Sequence, residues 1–149
     1  MVQLGPFDIE LVPKTSWHKA LKDTLPKRKW EKIRRRELER AGYKCEICGY
    51  SGKGLICHEI WHYDDSARIQ RLVGYKIVCG DCSLIYHLGR TVSIGLEGQA
   101  IQHLSHITGV SVEEAEKQLR QVSASYLLPK WKERSQYSWT IDSSYEKEI

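Results

Sequence analysis

Apolar positions along this chain change their period twice, and each change predicts a change of element. Residues 1 to 15 hold no sustained period, and Pro6 and Pro13 punctuate a stretch that reads as extended. "TSWHKALKDTL" opens on a Thr/Ser N-cap candidate and spaces Trp17, Leu21 and Leu25 four apart, which is helical. Pro26 ends that turn and opens a second helix, Lys27 to Ala41, which Gly42 stops. Its apolar members Trp30, Ile33 and Leu38 are sparse, so most of its circumference must face water or a polyanion. From residue 43 to 82 the character turns to β. "LICHEIWHY" and "YKIVC" read as strands, behind a glycine-bearing knuckle, "YKCEICGYSGKG", and ahead of a short helix, "SLIYHLG", with Gly89 as its C-cap. After residue 95 helical spacing returns. Ala100, Leu104 and Ile107 share one side, and Ser111 with Glu114 forms a capping box. Pro129 interrupts or kinks the last helix, and "KWKERSQYSWTID" reads as a packed tail with a short strand. The expectation is one α+β domain over residues 1–149, with a helical extension (1–42), a hairpin-and-helix core (43–90) and a second helical extension (95–149).

Composition is ordinary for a folded domain, but the placement of charge is not. The chain has a net charge of +4, yet the segment from Lys14 to Lys44 holds twelve Lys or Arg against four Asp or Glu. The remainder is therefore net acidic. Seven of those cations fall within "KRKWEKIRRR": Lys27, Arg28, Lys29, Lys32, Arg34, Arg35 and Arg36. They are candidates for gripping a phosphate backbone, against the plainer reading of a solvated helix face. No apolar run approaches the ~20 residues a membrane span requires. "MVQLGPFDIELVPKT" lacks the basic-then-apolar pattern of an export signal. No membrane association and a cytoplasmic location are expected.

Five cysteines with no export signal argue against a disulfide framework. Cys45-x-x-Cys48 and Cys79-x-x-Cys82 stand thirty residues apart, and two matched pairs select a metal over a redox motif or chance. A two-residue spacer lets one knuckle offer two thiolates to one ion, and a second knuckle completes a structural Zn²⁺ tetrahedron. Such a site is coordinatively closed, so it holds structure and does no chemistry. Cys57 is left over and reads as a small buried residue of the strand.

Between the pairs lies "LICHEIWHYDD", which gathers two histidines and three acids into eleven positions. With "LVPKTSW", "AGYKCEICG", "IQRLVG", "VCGDC", "HLG" and "WTID", this stretch resembles the HNH nucleases, and most closely a bacterial HNH-type group. The resemblance implies a ββα-metal fold, in which a divalent cation sits between a β-hairpin and a helix. It aligns the ligand–base dyad with His58-Glu59, placing Glu59 at the base position, and matches His87 to a histidine of the pattern. The asparagine position falls near Gly74-Tyr75, and Ser83 stands where a His is expected. On this reading His58, Glu59 and His87 are the catalytic candidates, with a second cation (Mg²⁺, Mn²⁺ or Ni²⁺) at His58 and His87. A regular strand, however, sends His58 and Glu59 to opposite faces, so both serve one ion only if the strand bulges or ends there. Asp64 and Asp65 suit a turn, and Arg71 suits either phosphate or that Asp pair. His62 reads as a strand-end surface residue, and His103 with His106 as surface or packing.

Three functions remain open. The first is a metal-dependent HNH-type endonuclease acting on double-stranded DNA. The second is the same fold with degraded chemistry, kept as a DNA- or RNA-binding module. The third is a protein-interaction module built on the zinc knuckle.

Overall fold

A computed structural model describes residues 3–146; residues 1 and 2, the start of the stretch read as extended, lie outside them, as do 147–149. The chain is α+β. Its first strands, β1 (Gln3–Leu4) and β2 (Phe7–Asp8), form a minimal antiparallel hairpin. The arm that follows has no regular structure until a 3₁₀ turn at Lys14–Ser16, and "TSWHKALKDTL" yields only the four-residue α1 (Leu21–Thr24). His18, at φ 67°, breaks the expected helix between the two.

Helix α2 (Lys27–Arg40) runs as expected from Pro26 and ends where Gly42 takes φ +68°. Ile33 and Leu38 are its buried apolar contacts, which matches its sparse pattern. Glu37 is buried beside them, and Arg36 (2.9 Å) and Arg40 (2.6 Å) neutralise it.

Strands β3 (Ile56–Asp64) and β4 (Ile69–Val78) form an antiparallel hairpin, and β5 (Thr140–Asp142) adds to β4 in parallel from the far end of the chain. Register passes from Ile60↔Gly74 to Trp61↔Leu72, so Val73 of β4 is a bulged extra residue. Helix α3 (Gly80–Tyr86) follows directly and packs on the hairpin. Gly89 does not cap it. His87 ends α3, and Gly89 lies inside a further helix, α4 (Leu88–Ser93).

Helices α5 (Glu97–Thr108) and α6 (Val112–Val122) pack together across a short turn at Gly109 (φ +76°), and Ser111 caps α6 by accepting from the Glu114 N–H at 3.1 Å. Pro129 marks an interruption of the regular helix: a π-helical turn (Ser123–Leu127) precedes it and joins α6 to α7 (Leu128–Arg134), with the backbone helical throughout.

One core unites these parts. Ile77 and Val78 of β4, Ile85 of α3, Leu88 of α4, Leu104 of α5 and Leu119 of α6 are all essentially inaccessible, each contributing on the order of 1.5–3 kcal/mol by burial. Phe7 closes it from the N-terminal side, edge-on to Tyr86 at 5.8 Å. No helix among the described residues is long and apolar enough to cross a membrane.

Candidate metal centres

The first centre is built from the knuckle after α2 and the start of α3. Glu46 joins them to the sheet: its N–H donates to the Ile77 carbonyl (2.8 Å) and its carboxylate accepts from the Ile77 N–H (2.7 Å). Arg40 forks onto the same carboxylate at 2.9 Å and holds it below the ordinary range. Cys79 is the N-cap of α3 and, like Cys45, accepts a hydrogen bond from the N–H three residues on. The pairs then face one another, with Cys45 Sγ 3.6 Å from Cys82 Sγ and Cys48 Sγ 3.6 Å from Cys79 Sγ. A disulfide would require ~2.05 Å, whereas a zinc tetrahedron with 2.3 Å bonds has edges of about 3.8 Å. All four sulfurs lie within 4.8 Å of one another, so the cluster can hold a metal such as zinc. Burial and the charge on Cys45 push the Cys82 thiol well up. Four thiolates in so small a space repel one another, and a dication is what allows all of them to ionise.

Cys57 takes no part. It is buried on β3, and burial followed by the charges of Glu37 and Glu59 pushes its thiol up to about 12. His103 does take part, although its sequence spacing offered nothing beyond surface or packing. Its Nε2 lies 3.1 Å from Cys82 Sγ, which ties α5 to the cluster.

The second centre sits at the other end of α3. His58, on the face of β3 toward α3, lies between Tyr86 (ring centroids 4.8 Å) and His87 (4.7 Å). The turn at the end of α3 (His87 φ −102°, ψ 49°) places the His87 ring there. The third member, Glu10, was no sequence candidate. The arm after β2 is hydrogen-bonded to the end of α3 through Glu10 N–H to Tyr86 C=O (3.0 Å), and it brings Glu10 Oε2 to 3.4 Å from His58 Nε2 and 3.8 Å from His87 Nδ1. No spacing rule links these three positions, so only their shared burial reveals them.

Their electrostatics follow from that burial. It pushes the Glu10 carboxyl up to about 8, with a further rise from Glu59 and a partial offset from Lys22. It also drives His58 down to about 3 and His87 down to about 4, where Lys22 again contributes. Both imidazoles are therefore neutral and carry lone pairs at neutral pH. Glu10 Oε1 and His58 Nε2 are buried with no hydrogen-bond partner among the described residues, at a cost of ~1–3 kcal/mol per group. Three ligand atoms within 4.8 Å of one another and two unpaired polar atoms form a set that a cation would satisfy. His58 is 4% exposed and His87 36%, so the group opens to solvent past His87.

Glu59 is elsewhere. The strand stays regular at this point, because the bulge falls beyond it on β4. Glu59 Oε1 accepts the Leu21 N–H at 2.7 Å, which caps α1, and burial pushes its carboxyl up to about 7. Glu10, rather than Glu59, thus supplies the carboxylate beside the two histidines. Gly74 lies opposite Ile60, Ser83 is half-buried in α3, and His62 is exposed as expected. Asp64 forms the expected turn by accepting from the Ser66 and Ala67 N–H groups, and Asp65 pairs with Arg134. Arg71 pairs with neither of them, but with Asp142 of β5 at 3.1 Å.

The seven cations of α2 divide. Arg36 is bound to Glu37 and Glu146, and Arg34 Nη2 donates to the Leu55 carbonyl. Lys27, Arg28, Lys29, Lys32 and Arg35 have no acidic partner among the described residues, and all but the half-buried Lys29 are exposed. Comparison with protein-family models, curated proteins and solved structures finds no match to this chain.

Proposed function

We propose that this protein is a metal-dependent, HNH-type nuclease. On this reading zinc in the four-cysteine cluster holds hairpin and helix together, and a second divalent cation sits on Glu10, His58 and His87. The unpaired cations of α2 grip double-stranded DNA. The observation that carries the reading is the meeting of two imidazoles and the Glu10 carboxyl, their ligand atoms within 4.8 Å of one another, at the seam between the β3–β4 hairpin and α3. That seam is where the resemblance expects a cation.

A cation there supplies Lewis-acid polarisation of a phosphodiester and a bound water of lowered pKa. His58 and His87 present nitrogen lone pairs, and Glu10 gives up its proton to become a carboxylate ligand. Lys22 adds positive potential that favours an anionic substrate. Two nitrogens and one oxygen favour Mn²⁺, Ni²⁺ or a similar transition ion over Mg²⁺.

The test is nicking of supercoiled plasmid by zinc-loaded protein with Mn²⁺, Ni²⁺ or Mg²⁺. Glu10→Ala, His58→Ala and His87→Ala should each lower the rate about 100-fold or more while zinc content stays unchanged. Nicking that survives all three substitutions would sink the assignment. A second reading, a nucleic-acid-binding module without chemistry, is favoured by Glu59, Gly74 and Ser83 at the altered motif positions. It predicts a mobility shift that weakens steeply with salt and no nicking with any ion.

A further inference from the structure

Glu10 lies outside the hairpin and helix that carry the two histidines, on an arm with no regular structure between Asp8 and Lys14. Its position is set by whatever holds that arm. At Glu10 itself the arm has one backbone hydrogen bond, to Tyr86. Ile9 and Leu11 on either side of Glu10 are buried in the core, and Trp17 Nε1 donates to the Val12 carbonyl (3.3 Å). The far end of the chain adds Arg134 Nη1 to the Leu11 carbonyl (3.4 Å) and Trp131 Nε1 to the Val12 carbonyl (3.0 Å). Further along, Ser135 Oγ accepts from the Lys14 N–H (2.9 Å), and Trp17 stacks on Trp131 at 6.0 Å.

Arg134 differs from the other contacts because it also holds the hairpin. Its guanidinium forks onto Asp65, in the turn between β3 and β4, at 2.9 and 3.1 Å, and lies 4.3 Å over the Tyr63 ring. Only 12% of the side chain is exposed. Lys130 adds a second cation to Asp65 at 3.4 Å. One planar group thus links the residue after Glu10 to the end of the strand that carries His58 and to the turn that follows it.

We propose that Arg134 is a positioning residue for the cation site, acting through Asp65 and the Leu11 carbonyl to hold Glu10 against His58 and His87. The inference rests on the cation reading above and assigns the C-terminal helix a role in it. Without the fork, the arm keeps the Tyr86 hydrogen bond, the Trp131 contact and the burial of Ile9 and Leu11, but its polar tie to the turn of the hairpin is gone. The site then falls back toward two histidines.

The experiment measures Mn²⁺ affinity by electron paramagnetic resonance in zinc-loaded wild type, Glu10→Ala, Arg134→Met and the double variant. Arg134→Met keeps the apolar stem over Tyr63 and removes the fork. It should weaken Mn²⁺ binding about 10–100-fold, as expected for a group that orients a ligand, with zinc content unchanged. The double variant should bind no more weakly than Glu10→Ala alone, because the fork acts only through Glu10. Asp65→Asn, on a half-exposed residue, provides the same test should Arg134→Met fail to fold. Unaltered affinity in both variants, or additive losses in the double variant, would overturn the inference while leaving the cation site intact. A wild type that takes up no Mn²⁺ would overturn both.

Discussion

The two centres are strung on one helix, Cys79 and Cys82 at the start of α3 and His87 just past its end, yet they are built on opposite plans. The cysteine cluster uses four identical soft ligands from two knuckles, each closed by local backbone hydrogen bonds. The Glu10–His58–His87 group draws one ligand from each of three separate segments and keeps an edge open to solvent. In the first, a metal would complete the fold by joining two distant knuckles. The second carries two buried polar atoms with no hydrogen-bond partner among the described residues. A closed set with no free position stabilises, while an open set with unmet polar groups can bind and react.

Substitutions at the two centres should therefore differ most in what they do to folding. Cys79→Ser removes one of the four thiols that can hold zinc, an ion that contributes ~10–16 kcal/mol in structural sites of this kind, as large as the ~5–15 kcal/mol stability of a whole domain. The expected outcome is loss of zinc together with the cooperative melting transition. Glu10→Ala should leave both in place. If Cys79→Ser kept its melting curve without zinc, the contrast would collapse.

A smaller effect sharpens the comparison at its boundary. His103→Ala removes the imidazole beside Cys82 Sγ and should speed zinc loss to a chelator about 10–100-fold, the usual effect of a lost ligand-orienting group. Unchanged release would show that α5 only packs against the cluster. Least affected should be Cys57. With its thiol pushed up to about 12 by burial, it should resist iodoacetamide at neutral pH in the native protein, and Cys57→Ala should leave zinc content unchanged. Alkylation at the rate of a free thiol would show that the strand opens there.

How much of this was legible follows from how local each signal is. Two Cys-x-x-Cys pairs state their own geometry, and α2 begins and ends where Pro26 and Gly42 place it. Gly89 misled because a helix can carry a glycine in its first turn, whereas Pro129 does mark the place where a π turn interrupts the last helix. The His58-Glu59 dyad was legible as chemistry but not as a pair. Neighbours on a regular strand part to opposite faces, and the bulge came too late to reunite them.

What the sequence alone determined was therefore the zinc-ready knuckles, the basic helix and the order of most elements, all set by spacing within a few residues. Tertiary structure decided that Glu10 joins the histidines, that His103 reaches Cys82 and that Arg134 ties the arm to the hairpin. Each of those contacts joins segments distant in the chain. They form only once a common core has brought the segments together, and no short-range period can encode that.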